Sequence, residues 1–184
     1  LPGRFVQGYF VYDSKKSGSI TESHLRFADG PIQATYLIGD ASFVSVNQFQ
    51  LIERVDVLER VADGATVVLN SPHGPEGTWN ALPAEVQERV IDRHLRLWAI
   101  DADRVAAEVG MGRRINTVMQ PCLFALSGVL DRDRAVEAIK RSIEKTFGRR
   151  GHTVVERNHA AVDRALAELH EVPVPTQVTT DRRR

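Results

Sequence analysis

Through the first half of the chain, short runs rich in β-branched and aromatic residues alternate with polar turns and helix-period stretches. This alternation constrains the fold more than any other feature. FVQGYFVY opens the series, with Phe5, Tyr9, Phe10, Val11 and Tyr12 marking a buried strand, and the polar turn Asp13-Ser14-Lys15-Lys16-Ser17-Gly18 follows. SITESHLRF, with Ile20, Leu25 and Phe27 as its apolar markers, then ATYLI, FVSV and TVVLN continue it. LIERVDVLERV places Leu51, Val55 and Leu58 on one helical face, with Asp63-Gly64 as its stop. The expectation is an α/β fold built on a mainly parallel sheet flanked by helices.

The second half is richer in helical period. LPAEVQERVIDRH carries Pro83 at its first turn and repeats Val86, Val90 and His94 at a spacing of four; LWAI is a short buried strand, and DADRVAAEVG is a helix closed by Gly110. A helical pair ends the domain. DRDRAVEAIKRSIEKTFG aligns Ala135, Ile139, Ile143 and Phe147, with Glu137/Arg141 and Lys140/Glu144 as outer pairs, and HTVVERNHAAVDRALAELH repeats the design with Val155, Val162, Leu166 and Leu169. The tail VPVPTQVTTDRRR lacks periodicity, so residues 173–184 are expected to be a linker leaving a domain that spans 1–172.

Charge and composition exclude several classes. Lys and Arg total 24 and Asp and Glu total 24, a formal net charge of zero, which offers a nucleic acid no more than a local patch. No stretch reaches the ~18 uninterrupted apolar residues of a membrane span, and the N-terminus has no signal-peptide core. The chain starts without Met in a strand-like run, so further chain is expected to precede it. The single cysteine, Cys122, reads as a buried thiol in a reducing cytoplasm rather than a nucleophile. One cysteine cannot ligate an iron–sulfur cluster, and the six histidines, His152 and His159 included, are not spaced for a metal site. Asp13, Asp40 and Asp56 sit near element ends, where carboxylates serve as caps. No catalytic residue stands out, and no nucleophile–base pair favours a free-standing enzyme.

Two segments stand above this background. In the loop Ser14–Ser19, Lys15 and Lys16 crowd with three hydroxyls and Gly18; such a loop can wrap a phosphate, or can be a turn with solvated lysines. In Gly110–Gln120, two glycines and the pair Arg113-Arg114 precede a helix whose first turns carry Asn116, Thr117 and Gln120. Helix-terminal N–H groups and guanidinium groups could converge there on an anion, or the polar groups could cap the helix and contact a neighbouring loop.

At these segments the sequence resembles a known family. YFVYDSKKSGSITESHLRF, FVSVNQFQLIERVDVL, TVVLNSP, LPAEVQERVI, AIDADRVAAEVGMGRRINTVMQPCLFALSGVL, AIKRSIEKTFGRRG and NHAAVDRALAELHEVPVP, in that order, resemble the gamma-type domain of the pyruvate:ferredoxin (flavodoxin) oxidoreductases. The resemblance runs from about Val6 to Pro175. It implies a multi-domain 2-oxoacid oxidoreductase that converts pyruvate and coenzyme A to acetyl-CoA and carbon dioxide, passing electrons to ferredoxin or flavodoxin. Thiamine diphosphate, its Mg and the iron–sulfur clusters would belong to other domains of a homo-oligomeric parent, so the isolated chain is expected to be catalytically incompetent. The domain itself would bind coenzyme A and close over the active site, with Lys15, Lys16, Ser17, Gly18 and Thr21 near phosphates, Arg113 or Arg114 supplying charge, and Asn116, Thr117 and Gln120 on the pantetheine or adenine portion. The competing expectation is a docking module that touches sibling domains and no ligand. Family members usually begin one strand–helix unit earlier, often carry Cys-His where this chain has Val46-Asn47, and often have glycine at the position of Ser19.

Overall fold

A computed structural model describes residues 3–12 and 20–184, which divide into two compact units, Leu1–Gly39 and Asp40–Arg184. In the first unit, β1 (Phe5–Tyr12) and β2 (Thr21–Ala28) form an antiparallel hairpin in which Gln7 pairs with Arg26 and Tyr9 with His24. Residues two apart share a face. Accordingly the Tyr9 ring stacks on His24 at 4.8 Å, and the Arg26 guanidinium lies 5.6 Å from the Tyr9 ring and 4.9 Å from that of Tyr36. The strand expected at ATYLI does not form. Its carbonyls instead accept side-chain hydrogen bonds, Ala34 from Gln7 and Tyr36 from Arg26 and Tyr9.

The opening strand is present, but it is not the buried strand its composition suggests. Phe5, Phe10 and Val11 are all exposed, Phe10 to 59%, because the described residues of this unit form a ribbon of two strands without a covering second sheet.

The second unit is a four-stranded sheet in the order β3 (Ala41–Val46), β4 (Val61–Asn70), β5 (Arg96–Ile100), β6 (His170–Glu171). The first three strands are parallel and β6 is antiparallel to β5. Helices cover both faces, which is why β4 reads as a continuous apolar run. Val67 and Leu69 join Leu97 and Ala99 in one core with α1 (Leu51–Arg54), α2 (Gly74–Asn80) and α3 (Ala84–Asp92). Val68 and Ile100 point the other way, into a core built with α4 (Ala102–Glu108), α5 (Asn116–Ser127) and α7 (His152–Glu168). The expected helical pair is α6 (Arg132–Phe147) and α7, joined where Ile139 and Ile143 meet Val162. Lys140 pairs across to Asp163 on α7 rather than along its own helix to Glu144.

Two local expectations fail for physical reasons. The helix in LIERVDVLERV stops at Arg54, because Val55 is extended and the Asp56 carboxylate captures the Leu58 N–H at 3.2 Å. Leu58 is buried all the same. Asp63-Gly64 lies inside β4 as a bulge, with Gly64 at φ +70° and the β3–β4 register shifting between Ala41 and Phe43. The tail after Pro173 lies along α2 and α3. The Thr179 N–H donates to the buried Gln87 side chain at 2.8 Å, the Trp79 indole N–H donates to Thr179 Oγ1 at 2.9 Å, and the Ala84 N–H donates to the Arg182 carbonyl at 2.8 Å.

Candidate functional site

Each residue from Gly110 to Gln120 has a local reason for its place. α4 ends in a Schellman motif: the Gly110 N–H donates to the Ala107 carbonyl at 3.0 Å and the Met111 N–H to the Ala106 carbonyl at 2.8 Å, while the Met111 side chain is buried. That motif needs a left-handed residue, and Gly110 supplies it at φ +74°. A Cβ there would also meet Arg157 of α7, whose Nε lies 3.3 Å from the position it would take. Arg113 and Arg114 follow, both exposed; Arg114 Nε donates to the Met111 carbonyl at 3.2 Å.

α5 then begins without a side-chain cap. The Val118 and Met119 N–H groups donate to the Ile115 carbonyl, whereas those of Asn116 and Thr117 have no acceptor among the described residues. Two open donors at the positive end of a twelve-residue helix, beside exposed arginines, suit an anion. Asn116 and Gln120 are exposed one turn apart and Thr117 is half-buried, while Val118, Met119 and Cys122 face the core.

The structure thus brings together Arg113, Arg114, Asn116, Thr117 and Gln120 on one connection. Thr21 opens β2 in the other unit and is exposed; Lys15, Lys16, Ser17 and Gly18, with Asp13 and Ser19, lie outside the described residues. Sequence reading missed two neighbours on α7, Arg157 and the buried Asn158, which accepts a hydrogen bond from Thr117. The signal for Asn158 is a polar residue on the apolar side of a helix, whereas Arg157 is an exposed residue of that helix with no such mark, and both stand far from the loop in sequence.

The carboxyl ends of the parallel strands, the usual ligand edge of such sheets, are tied shut by Asn70. Its amide nitrogen donates to the Asn47 carbonyl at 3.0 Å and to Asp103 Oδ2 at 2.8 Å, and its oxygen accepts from the Ala102 N–H at 2.9 Å. With both of its polar atoms partnered, Asn70 ties the end of β4 to the loop after β3 and to the start of α4. Burial pushes the Cys122 thiol up to about 12, and its Sγ donates to the Val118 carbonyl at 3.2 Å, so the residue packs as a core side chain. Asp56 caps its turn as expected. Among the described residues no helix is long and apolar enough to cross a membrane, and no three metal-ligating side chains cluster.

The family described as pyruvate ferredoxin/flavodoxin oxidoreductase matches residues 2–168. The pyruvate-flavodoxin oxidoreductase of Rhodospirillum rubrum is 56% identical over 173 residues, which are 94% of this chain and 14% of that protein. The pyruvate:ferredoxin oxidoreductase of Moorella thermoacetica is 42% identical over 171 residues, 93% of this chain and 15% of that protein. This chain therefore spans about one seventh of the length of such relatives. Among solved structures, the pyruvate oxidoreductase subunit PORC of Thermotoga maritima superposes with a TM-score of 0.67 at 19% identity, covering 91% of this chain and 82% of that one. The 2-oxoglutarate:ferredoxin oxidoreductase of Magnetococcus marinus, solved with 2-oxoglutarate, coenzyme A and succinyl-CoA bound, gives a TM-score of 0.64 at 18% identity, covering 90% of this chain and 26% of that one.

Proposed function

The chain belongs to the pyruvate ferredoxin/flavodoxin oxidoreductase family, and from that membership we propose that it is the coenzyme-A-contacting part of a cytoplasmic enzyme that converts pyruvate and coenzyme A to acetyl-CoA and carbon dioxide. The rest of the parent would supply thiamine diphosphate, Mg and the iron–sulfur clusters, and would pass electrons to ferredoxin or flavodoxin. The observation that carries this reading is the α5 N-terminus, where two open N–H groups and the exposed Arg113 offer donors to a phosphate and the Asn116–Gln120 edge offers amides to the remainder of the ligand. Coenzyme A carries both kinds of group. Lys15, Lys16, Ser17, Gly18 and Thr21 belong to the same reading as phosphate contacts of the hairpin unit.

Titration of coenzyme A into the complete parent enzyme tests it. Lys16→Ala and Asn116→Ala are each expected to weaken binding about tenfold, the loss of one charged or well-placed hydrogen bond. Unchanged affinity in both variants would sink the assignment. A docking role is the second reading, favoured by the apolar exposure of the hairpin at Phe5, Val6 and Leu25. It expects the same variants to disturb assembly while coenzyme A affinity stays intact.

A further inference from the structure

The buried amide of Asn158 settles the hydrogen-bonding sense of a site residue far from it in sequence. One terminal atom of Asn158 lies 2.7 Å from the Val154 carbonyl, which can only accept, so that atom is the NH2. The other is then the carbonyl oxygen, and it lies 3.3 Å from Thr117 Oγ1. An amide oxygen can only accept in turn, so the single hydroxyl hydrogen of Thr117 is committed to it and Oγ1 keeps lone pairs alone for anything else. Asn158 is 3% exposed, and turning its amide would set two carbonyl oxygens against each other.

A second observation points the same way. Pro121 sits inside α5 and has no N–H to donate to the carbonyl four residues back, so the main-chain oxygen of Thr117 also lacks its helical donor. Both oxygens of this half-buried residue are acceptors without a hydrogen to give, whereas the open donors are main-chain N–H groups at the helix tip, those of Asn116 and of Thr117 itself.

We propose that Asn158 is a positioning residue that makes the Thr117 side chain an acceptor-only contact, so that the flank of α5 receives an N–H-bearing part of the ligand while phosphate oxygens go to the main-chain N–H groups at the helix tip. This rests on the coenzyme A reading above. In that ligand the N–H is a pantetheine amide or the adenine amino group; a phosphate oxygen facing Thr117 Oγ1 would meet lone pairs.

The test uses the complete parent enzyme and measures affinity for coenzyme A and for three probes: inorganic pyrophosphate, pantetheine and the adenosine bisphosphate half of the cofactor. Thr117→Val, nearly isosteric at a half-buried position, is expected to weaken coenzyme A about fivefold and to leave pyrophosphate unchanged, while Thr117→Ser restores binding. Whichever of pantetheine and adenosine bisphosphate weakens with it carries the N–H. Asn158→Leu is expected to weaken coenzyme A similarly, and the double variant no further, because one residue acts through the other. If Asn158→Leu does not fold, the Thr117 pair still decides the polarity. Pyrophosphate weakened as much as coenzyme A, or fully additive single variants, overturns the proposal. Thr117→Val without effect while Lys16→Ala or Asn116→Ala weakens coenzyme A overturns it alone; all three without effect overturn the coenzyme A reading as well.

Discussion

The hairpin unit and the sheet unit use similar residues to opposite effect. In β4, Val67, Val68 and Leu69 are each at most 2% exposed because helices cover both faces of the sheet; in β1, Phe5, Val6 and Phe10 are 46–59% exposed on a ribbon of two strands. Composition alone does not separate them. What differs is the number of layers each strand finds within its own unit, and with it the apolar area that leaves water. The sheet unit therefore carries its own core, while the hairpin keeps its order through side-chain contacts along one face, Tyr9 on His24 and Arg26 on Gln7 and Tyr36.

The strongest way to break that contrast is to cut into the sheet. Leu97→Ala removes a side chain 2% exposed in the core between the sheet and α1–α3 and is expected to cost about 2–5 kcal/mol in urea unfolding of the chain. A loss below about 1 kcal/mol would mean the sheet is no better packed than the hairpin. Val6→Ser in β1 is expected to change stability by no more than about 0.5 kcal/mol, because the side chain is already 51% exposed. A drop comparable to that of Leu97→Ala would show that the hairpin buries this face in solution and would erase the distinction.

An effect smaller than that of Leu97→Ala concerns the ion network that joins α4 to α7. The Arg104 guanidinium holds the Glu168 carboxyl below the usual carboxylate range, first through their 2.8 Å hydrogen bond and then through charge. A depressed folded pKa contributes stability that is present above the unfolded carboxylate pKa and lost as pH falls through the folded value. Arg104→Ala should therefore lower stability by less than about 1 kcal/mol at neutral pH, the group being partly exposed, and should flatten the acid limb. An unaltered acid limb in pH-dependent unfolding would remove this network from the features that distinguish the sheet unit.

Legibility in the sequence followed the range of the interactions involved. TVVLN, LWAI and the stripe Ala135–Ile139–Ile143 each carry their period within a few residues, and each formed where it was expected. The helix after Leu51 did not run its length, since the Asp56 side chain outcompeted the helical bond at one position and periodicity does not register such local competition. The candidate site divides in the same way. Gly110 and Gly112 before a polar helix start are visible as a motif, and both adopt positive φ. Arg157 and Asn158 were not visible, because only the packing of α7 on α5 brings them to the loop.

By itself the sequence determined the three parallel sheet strands, the stop of α4 at a left-handed glycine, the polar edge of α5, and the family to which those blocks in that order belong, but not β6, whose His170 carries the period of the preceding helix. These are settled by backbone sterics, side-chain period and local hydrogen bonding, all of which act over a few residues. Which apolar strands are covered, and the hydrogen-bonding sense of the Thr117 hydroxyl, were decided only by the tertiary structure. Burial depends on what else packs nearby, and the sense of the Thr117 hydroxyl depends on an amide 41 residues further along the chain whose own orientation is set by the Val154 carbonyl.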